Sequence, residues 1–225
     1  MRDEWHRLRF GWHFNSGMVL YYITDRKQFP GTASEQRRRL LQKITQAARA
    51  GVHYVQLRER DLDGRELEAL ADEAVSAVKV AGTHTRLLLN SRTDVALACG
   101  ADGVHLRSDD ISASDARAIA RSRSGFVVGV SCHTPDDVRS AWSHGADYAL
   151  FAPVFEKAGQ PGRGLSRLRE ACSVAPKFVI ALGGVTAGNA TSCVQAGASG
   201  VAGIRLFQED AIGTLVGSLQ SSGTD

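Results

Sequence analysis

Eight short runs of β-branched or aliphatic residues recur along this chain, each followed by a stretch whose apolar residues fall on one helical face. No other feature constrains its fold as tightly. The runs are Val19 to Thr24, Tyr54 to Leu57, Arg86 to Leu89, Gly103 to Leu106, Phe126 to Val130, Tyr148 to Phe151, Phe178 to Leu182 and Gly200 to Gly203. Continuous apolar runs of this length read as strands buried on both faces, and strands alternating with helices read as βα units. Several strands follow the same turn chemistry: Ala50-Gly51-Val52, Gly-Ala-Asp at 100–102 and again at 145–147, and Gly-Ala-Ser at 197–199. Equivalent turns around one sheet, with right-handed crossovers, close most simply as a single α/β domain, a (β/α)8 barrel of the TIM type. An open doubly wound sheet would need a switch point that the pattern lacks.

The first helix is expected from about Ser34 as N-cap, with Leu40, Ile44, Ala47 and Ala48 inward and Arg37 to Arg39 in solvent. The barrel is expected to occupy residues 18–225, fraying from Ser218. Residues 1–17 read as a disordered or tag-like extension, with Met18 an alternative start. The chain has 225 residues, 43% of them hydrophobic, which excludes a disordered chain. A net charge of +3, with basic residues dispersed, argues against nucleic acid as a partner and admits an anionic small molecule. No apolar run approaches the roughly 20 residues that a spanning helix needs, so no membrane partner is expected and the protein reads as cytoplasmic. Cys99, Cys132, Cys172 and Cys193 lack C-x-x-C spacing and read as reduced, mostly buried thiols.

In such a barrel, chemistry gathers at the C-terminal strand ends. Period two in the second strand sends Tyr54, Gln56 and Arg58 to the mouth and Val55 and Leu57 to the helix layer. Strand three ends at Asn90. Gly129, Ser131 and His133 share one phase at strand five, which makes His133 the leading acid/base residue, because imidazole titrates near neutrality. His105 sits mid-strand and reads as a satisfied interior residue. Gly183 and Gly184 follow strand seven, and Gly203-Ile204-Arg205 ends strand eight. Barrels commonly bind phosphate there through bare backbone N–H groups.

These residues, taken in order, resemble the thiamine-phosphate synthase and TenI-like superfamily. The resemblance runs from Tyr21-Tyr22-Ile23-Thr24-Asp25 through Gln56-Leu57-Arg58-Glu59, Ala101 to Leu106, Gly129 to His133, Pro153-Val154-Phe155 and Ala181 to Val185, to Gly200-Val201-Ala202. It implies a thiamine biosynthesis enzyme on a TIM barrel. Synthases join a pyrimidine diphosphate to a thiazole phosphate, with Mg²⁺ holding the leaving pyrophosphate. By family position Gln56, Arg58 and Asn90 would contact the pyrimidine diphosphate, and Asp110 would be one of two magnesium carboxylates. Here Ser91 stands at the second, a poorer ligand for a hard cation. Arg60 replaces a Lys, and a family Thr-x-Thr-Lys stretch is absent from residues 155–164. Phe155-Glu156 and Gly162-Arg163-Gly164 instead resemble the TenI-like branch, whose activity is a metal-free tautomerisation of a thiazole phosphate carboxylate.

The leading expectation is therefore a tautomerase with no cofactor, in which His133 moves a proton and Gly183, Gly184 and Ile204 bind phosphate. Arg58 would hold the carboxylate, while Arg205 either adds a phosphate contact or pairs with Glu209. One alternative is a Mg²⁺-dependent synthase in which Asp109 and Asp110 replace the missing carboxylate. Another is a non-catalytic, regulatory barrel that binds a phosphorylated thiazole or pyrimidine. Assembly into a homo-oligomer is left open.

Overall fold

The computed structural model describes residues 18–82, 84–156, 159, 161–174, 178–208 and 211–221. Eight parallel strands pair in chain order and close on themselves. They are β1 (Val19–Ile23), β2 (Tyr54–Leu57), β3 (Arg86–Asn90), β4 (Gly103–Leu106), β5 (Val127–Cys132), β6 (Tyr148–Phe151), β7 (Phe178–Leu182) and β8 (Gly200–Gly203). Closure is made by β1 on β8, with Val19 beside Gly200 and Tyr22 beside Gly203. Helices fill the gaps: α1 (Ala33–Arg49), α2 (Gly64–Ala81), α3 (Thr93–Ala98), α4 (Ala113–Ile119), α5 (Pro135–Ser143), α6 (Gly164–Val174) and α7 (Ala190–Gln195). After β8 come α8 (Arg205–Gln208) and α9 (Ile212–Ser221). None of the helices among the described residues is long and apolar enough to cross a membrane.

Strand alternation divides the core in two. Val55, Leu57, Val104, Leu106 and Val128 pack outward with helix residues such as Leu40, Ile44 and Leu70. Tyr21, Tyr54, Leu88, Val127, Tyr148, Leu150 and Ile180 fill the barrel interior. The narrow end is tied by the repeated Gly-Ala-Asp turns. The Asp102 carboxylate accepts the N–H of Leu87, and that of Asp147 accepts the N–H of Val128, each reaching back to the preceding strand. The free cysteines divide evenly: Cys132 and Cys193 are buried, Cys99 and Cys172 only partly so.

Two expected boundaries differ from what is observed. The cap of α1 is Thr32 and not Ser34. The Thr32 hydroxyl accepts the Glu35 N–H while the Glu35 carboxylate accepts the Thr32 N–H, a reciprocal box that Ser34 cannot make. The chain also stays helical past Ser218 to Ser221, because Ile212, Val216 and Leu219 bury one stripe of α9. The expected extension, residues 1–17, lies outside the described residues.

Candidate active site

The rim above β7 and β8 is built from backbone. Gly183 and Gly184 have φ of +96° and +66°, where a side chain is strained. A Cβ on Gly183 would come within 2.7 Å of the Pro153 Cα, and one on Gly184 within 2.6 Å of the Glu156 carbonyl oxygen. Close seating on the loop after β6 therefore demands these glycines, over and above any need for an anion to approach. Among the described residues, the N–H groups of Gly183, Gly184 and Ile204 have no hydrogen-bond acceptor. They line a cavity of about 950 Å³ whose wall continues through Gln28, Arg205 and Leu215. Arg205 is exposed at its edge, and its alternative partner Glu209 lies outside the described residues.

The rim above β2 to β4 is built from side chains. Gln56, only 1% exposed, accepts a hydrogen bond from the Tyr21 hydroxyl and donates to the Asn90 carbonyl at 2.8 Å. Asn90 donates in turn to the Ser91 hydroxyl at 2.9 Å. Ser91 has φ of +64°, a left-handed conformation that a serine adopts at a cost. Beside them, buried Glu59 accepts from Thr24 and from both the backbone and the side chain of Arg26, while Arg26 forks onto Asp61 at 2.6 and 2.7 Å. This clamp holds the loop after β2 against the loop after β1. Arg58, partly buried at the strand end, has no side-chain partner among the described residues. Burial and, after it, the positive charge of Arg60 hold its pKa below the ordinary arginine value, with Arg107 adding to the effect. The Asp25 and Glu59 carboxylates oppose that shift.

One oxygen of the Asp110 carboxylate accepts the Arg107 N–H at 2.7 Å, and the Arg107 guanidinium pairs with Asp109. Arg107, a contributor to this cationic rim, went unnoticed in the sequence.

Two histidines lie on β4 and at the end of β5, one interior and one partly exposed. His133 follows β5 directly, its N–H held by Asp137, which is the far end of the α5 capping box. Its Nδ1 lies 2.8 Å from the Ala152 carbonyl oxygen, which can only accept, so Nδ1 carries the proton and Nε2 is left as the basic nitrogen. Arg163, from the Gly162-Arg163-Gly164 stretch, also donates to that carbonyl, at 3.4 Å, which brings a guanidinium beside the histidine. Its loop folds back through Arg163 N–H to Pro153 and Gly164 N–H to Val154. His105 is the satisfied interior residue expected: 2% exposed, with one ring nitrogen on Tyr148 and the other on Ser131. Burial pushes its pKa down to about 3, so the ring is neutral.

Residues 20–207 match the thiamine monophosphate synthase family, which also takes in TenI proteins. The chain belongs to that family. Its relatives include the thiamine-phosphate synthase of Roseiflexus castenholzii, 37% identical over 84% of this chain and 81% of the relative. The thiamine biosynthetic bifunctional enzyme TH1 of Arabidopsis thaliana is 32% identical over 87% of the chain, which spans only 37% of that longer protein. A solved thiamine phosphate pyrophosphorylase from Pyrococcus furiosus superposes with a TM-score of 0.77 at 25% identity, covering 92% of this chain and 95% of that one. As a member of the thiamine monophosphate synthase family, the protein is an enzyme of thiamine biosynthesis.

Proposed function

We propose that this enzyme is a metal-independent tautomerase of a thiazole phosphate carboxylate, acting in the cytoplasm. The observation that carries this reading is His133, whose Nδ1–H is tied to the Ala152 carbonyl so that Nε2 serves as the base. Nε2 would take a proton from one position of the thiazole system and return it at another, the role imidazole fills when its tautomer is fixed. The unpaired N–H groups of Gly183, Gly184 and Ile204 would hold the phosphate. Arg58 would hold the carboxylate through a charge-assisted contact.

The donor set supports this reading over one that holds the divalent cation of the synthase branch, because it offers a single carboxylate where that branch has two. Of the two family positions, Ser91 offers a hydroxyl already engaged by Asn90, and the Asp110 carboxylate caps the Arg107 N–H. A second reading, thiamine-phosphate synthase, is favoured by the names of the relatives and by the retention of Gln56, Arg58 and Asn90, the first and last of them hydrogen-bonded. A coupled assay of both reactions, with Mg²⁺ and with a chelator, separates them. Tautomerisation that persists in chelator supports the proposal. Thiamine phosphate formed only with Mg²⁺ supports the second reading, and binding without turnover leaves a silent binder.

A further inference from the structure

A continuous hydrogen-bonded chain crosses the barrel interior from the β3 rim to the β5 rim. It runs from Ser91 through Asn90, Gln56, Tyr21, Tyr148 and His105 to Ser131, with Tyr21 and Tyr148 hydroxyls 2.8 Å apart, Tyr148 3.1 Å from His105 Nδ1, and His105 Nε2 2.9 Å from the Ser131 hydroxyl. The room for this contact is a sequence feature. A Cβ on Gly129 would lie 1.9 Å from the Tyr148 ring, so only glycine at that position of β5 lets the phenol reach His105.

The polarity of the chain follows from the Gln56 amide. Its NH₂ donates to Asn90, so its oxygen is the atom that faces Tyr21, and an amide oxygen can only accept. The Tyr21 hydroxyl proton is thereby spent on Gln56, and Tyr21 must accept from Tyr148. Tyr148 has then spent its own proton and must accept from His105 Nδ1–H. A neutral imidazole protonated at Nδ1 has a bare Nε2, so the Ser131 hydroxyl must donate inward to it.

We infer that Tyr148 and Tyr21 are positioning residues that fix the Nδ1–H tautomer of His105 and so turn Ser131 into a hydrogen-bond acceptor toward the mouth. With its proton committed inward, Ser131 offers lone pairs to a ligand and selects a group that donates, an N–H or O–H, over an isosteric acceptor. Burial of both tyrosines raises their pKa, which keeps the chain neutral and its protons in place. This inference rests on the mouth being the substrate site, as proposed above, but its core concerns the ligand-free protein and does not require either reaction.

The test is ¹⁵N NMR of the histidine rings in the full-length protein, with the His105 signals assigned by their loss in His105→Gln. The wild type is expected to show a pyrrole-type Nδ1 and a pyridine-type Nε2 at His105. In Tyr148→Phe, which keeps the ring and removes the acceptor, the ratio of Nδ1–H to Nε2–H is expected to fall at least tenfold. In Tyr21→Phe, which frees the Tyr148 proton to point at Nδ1, the ratio should fall as well. An Nε2–H tautomer in the wild type, or a ratio unmoved by both variants, overturns the inference. Should Tyr148→Phe fail to fold, the wild-type tautomer and Tyr21→Phe still decide it. Absence of enzymatic turnover would count against the tautomerase reading alone.

Discussion

The two rims of the barrel mouth are built differently, and on the function proposed above each would hold one negative group of the substrate. The β7–β8 rim presents backbone N–H groups on glycines seated against the neighbouring loop, with Arg205 following β8 at its edge. The β2–β4 rim uses side chains: Arg58 beside Arg60 and Arg107, a buried Glu59–Arg26–Asp61 clamp behind it, and the Gln56–Asn90–Ser91 relay. A backbone site tolerates no change at its glycines and is indifferent to most other substitutions. A side-chain site can be rewritten one residue at a time, and two departures from the family pattern, Ser91 and Arg60, fall there.

The sharpest break of this contrast is Gly184→Ala. The new Cβ would sit at positive φ and within 2.6 Å of the Glu156 carbonyl oxygen, so the variant should lose about 2 to 4 kcal/mol of stability and its phosphate affinity together. Urea unfolding checks the first, with Gly213→Ala in open space on α9 as a control that should be neutral or slightly stabilising. Arg58→Ala comes next. Loss of a charged hydrogen bond, about 1.5 to 3 kcal/mol, should weaken a thiazole phosphate carboxylate and spare its decarboxylated analogue, as read by calorimetry.

Ser91→Asp tests whether the side-chain rim can be returned to metal binding, since aspartate tolerates the left-handed backbone and supplies the missing carboxylate. Mg²⁺ at a few times its Kd should then add about 1 kcal/mol of thermal stability to the variant and none to the wild type. The smallest effect is expected for Arg205→Ala. An exposed guanidinium should contribute less than about 1 kcal/mol to phosphate binding, and that share should shrink with salt. A loss as large as that of Arg58→Ala would erase the distinction between the rims.

The β7–β8 rim could be read from the chain because its chemistry is local: Gly183-Gly184 and Gly203-Ile204 follow apolar strands directly, and barrel geometry says what such loops face. The strand order followed from the βα alternation, the inward phase of Gln56 from period two, and the satisfied state of His105 from its place mid-strand. Another feature was hidden for a physical reason. Tyr148 meets His105 only through the gap at Gly129, a pairing of three strands that no local spacing encodes. The N-cap at Thr32 could have been found, because Thr32-x-x-Glu35 is a capping box and Ser34 has no such partner.

The central claim is proton transfer by His133 without a metal. Its most direct measurement is the turnover of thiazole phosphate carboxylate tautomer in the presence of excess chelator, by the wild type and by His133→Ala, followed by deuterium uptake from solvent. Turnover in chelator that falls about 10² to 10⁴-fold in the variant, with phosphate affinity unchanged, is the expected result. Turnover that vanishes in chelator, or that survives in His133→Ala, would contradict it.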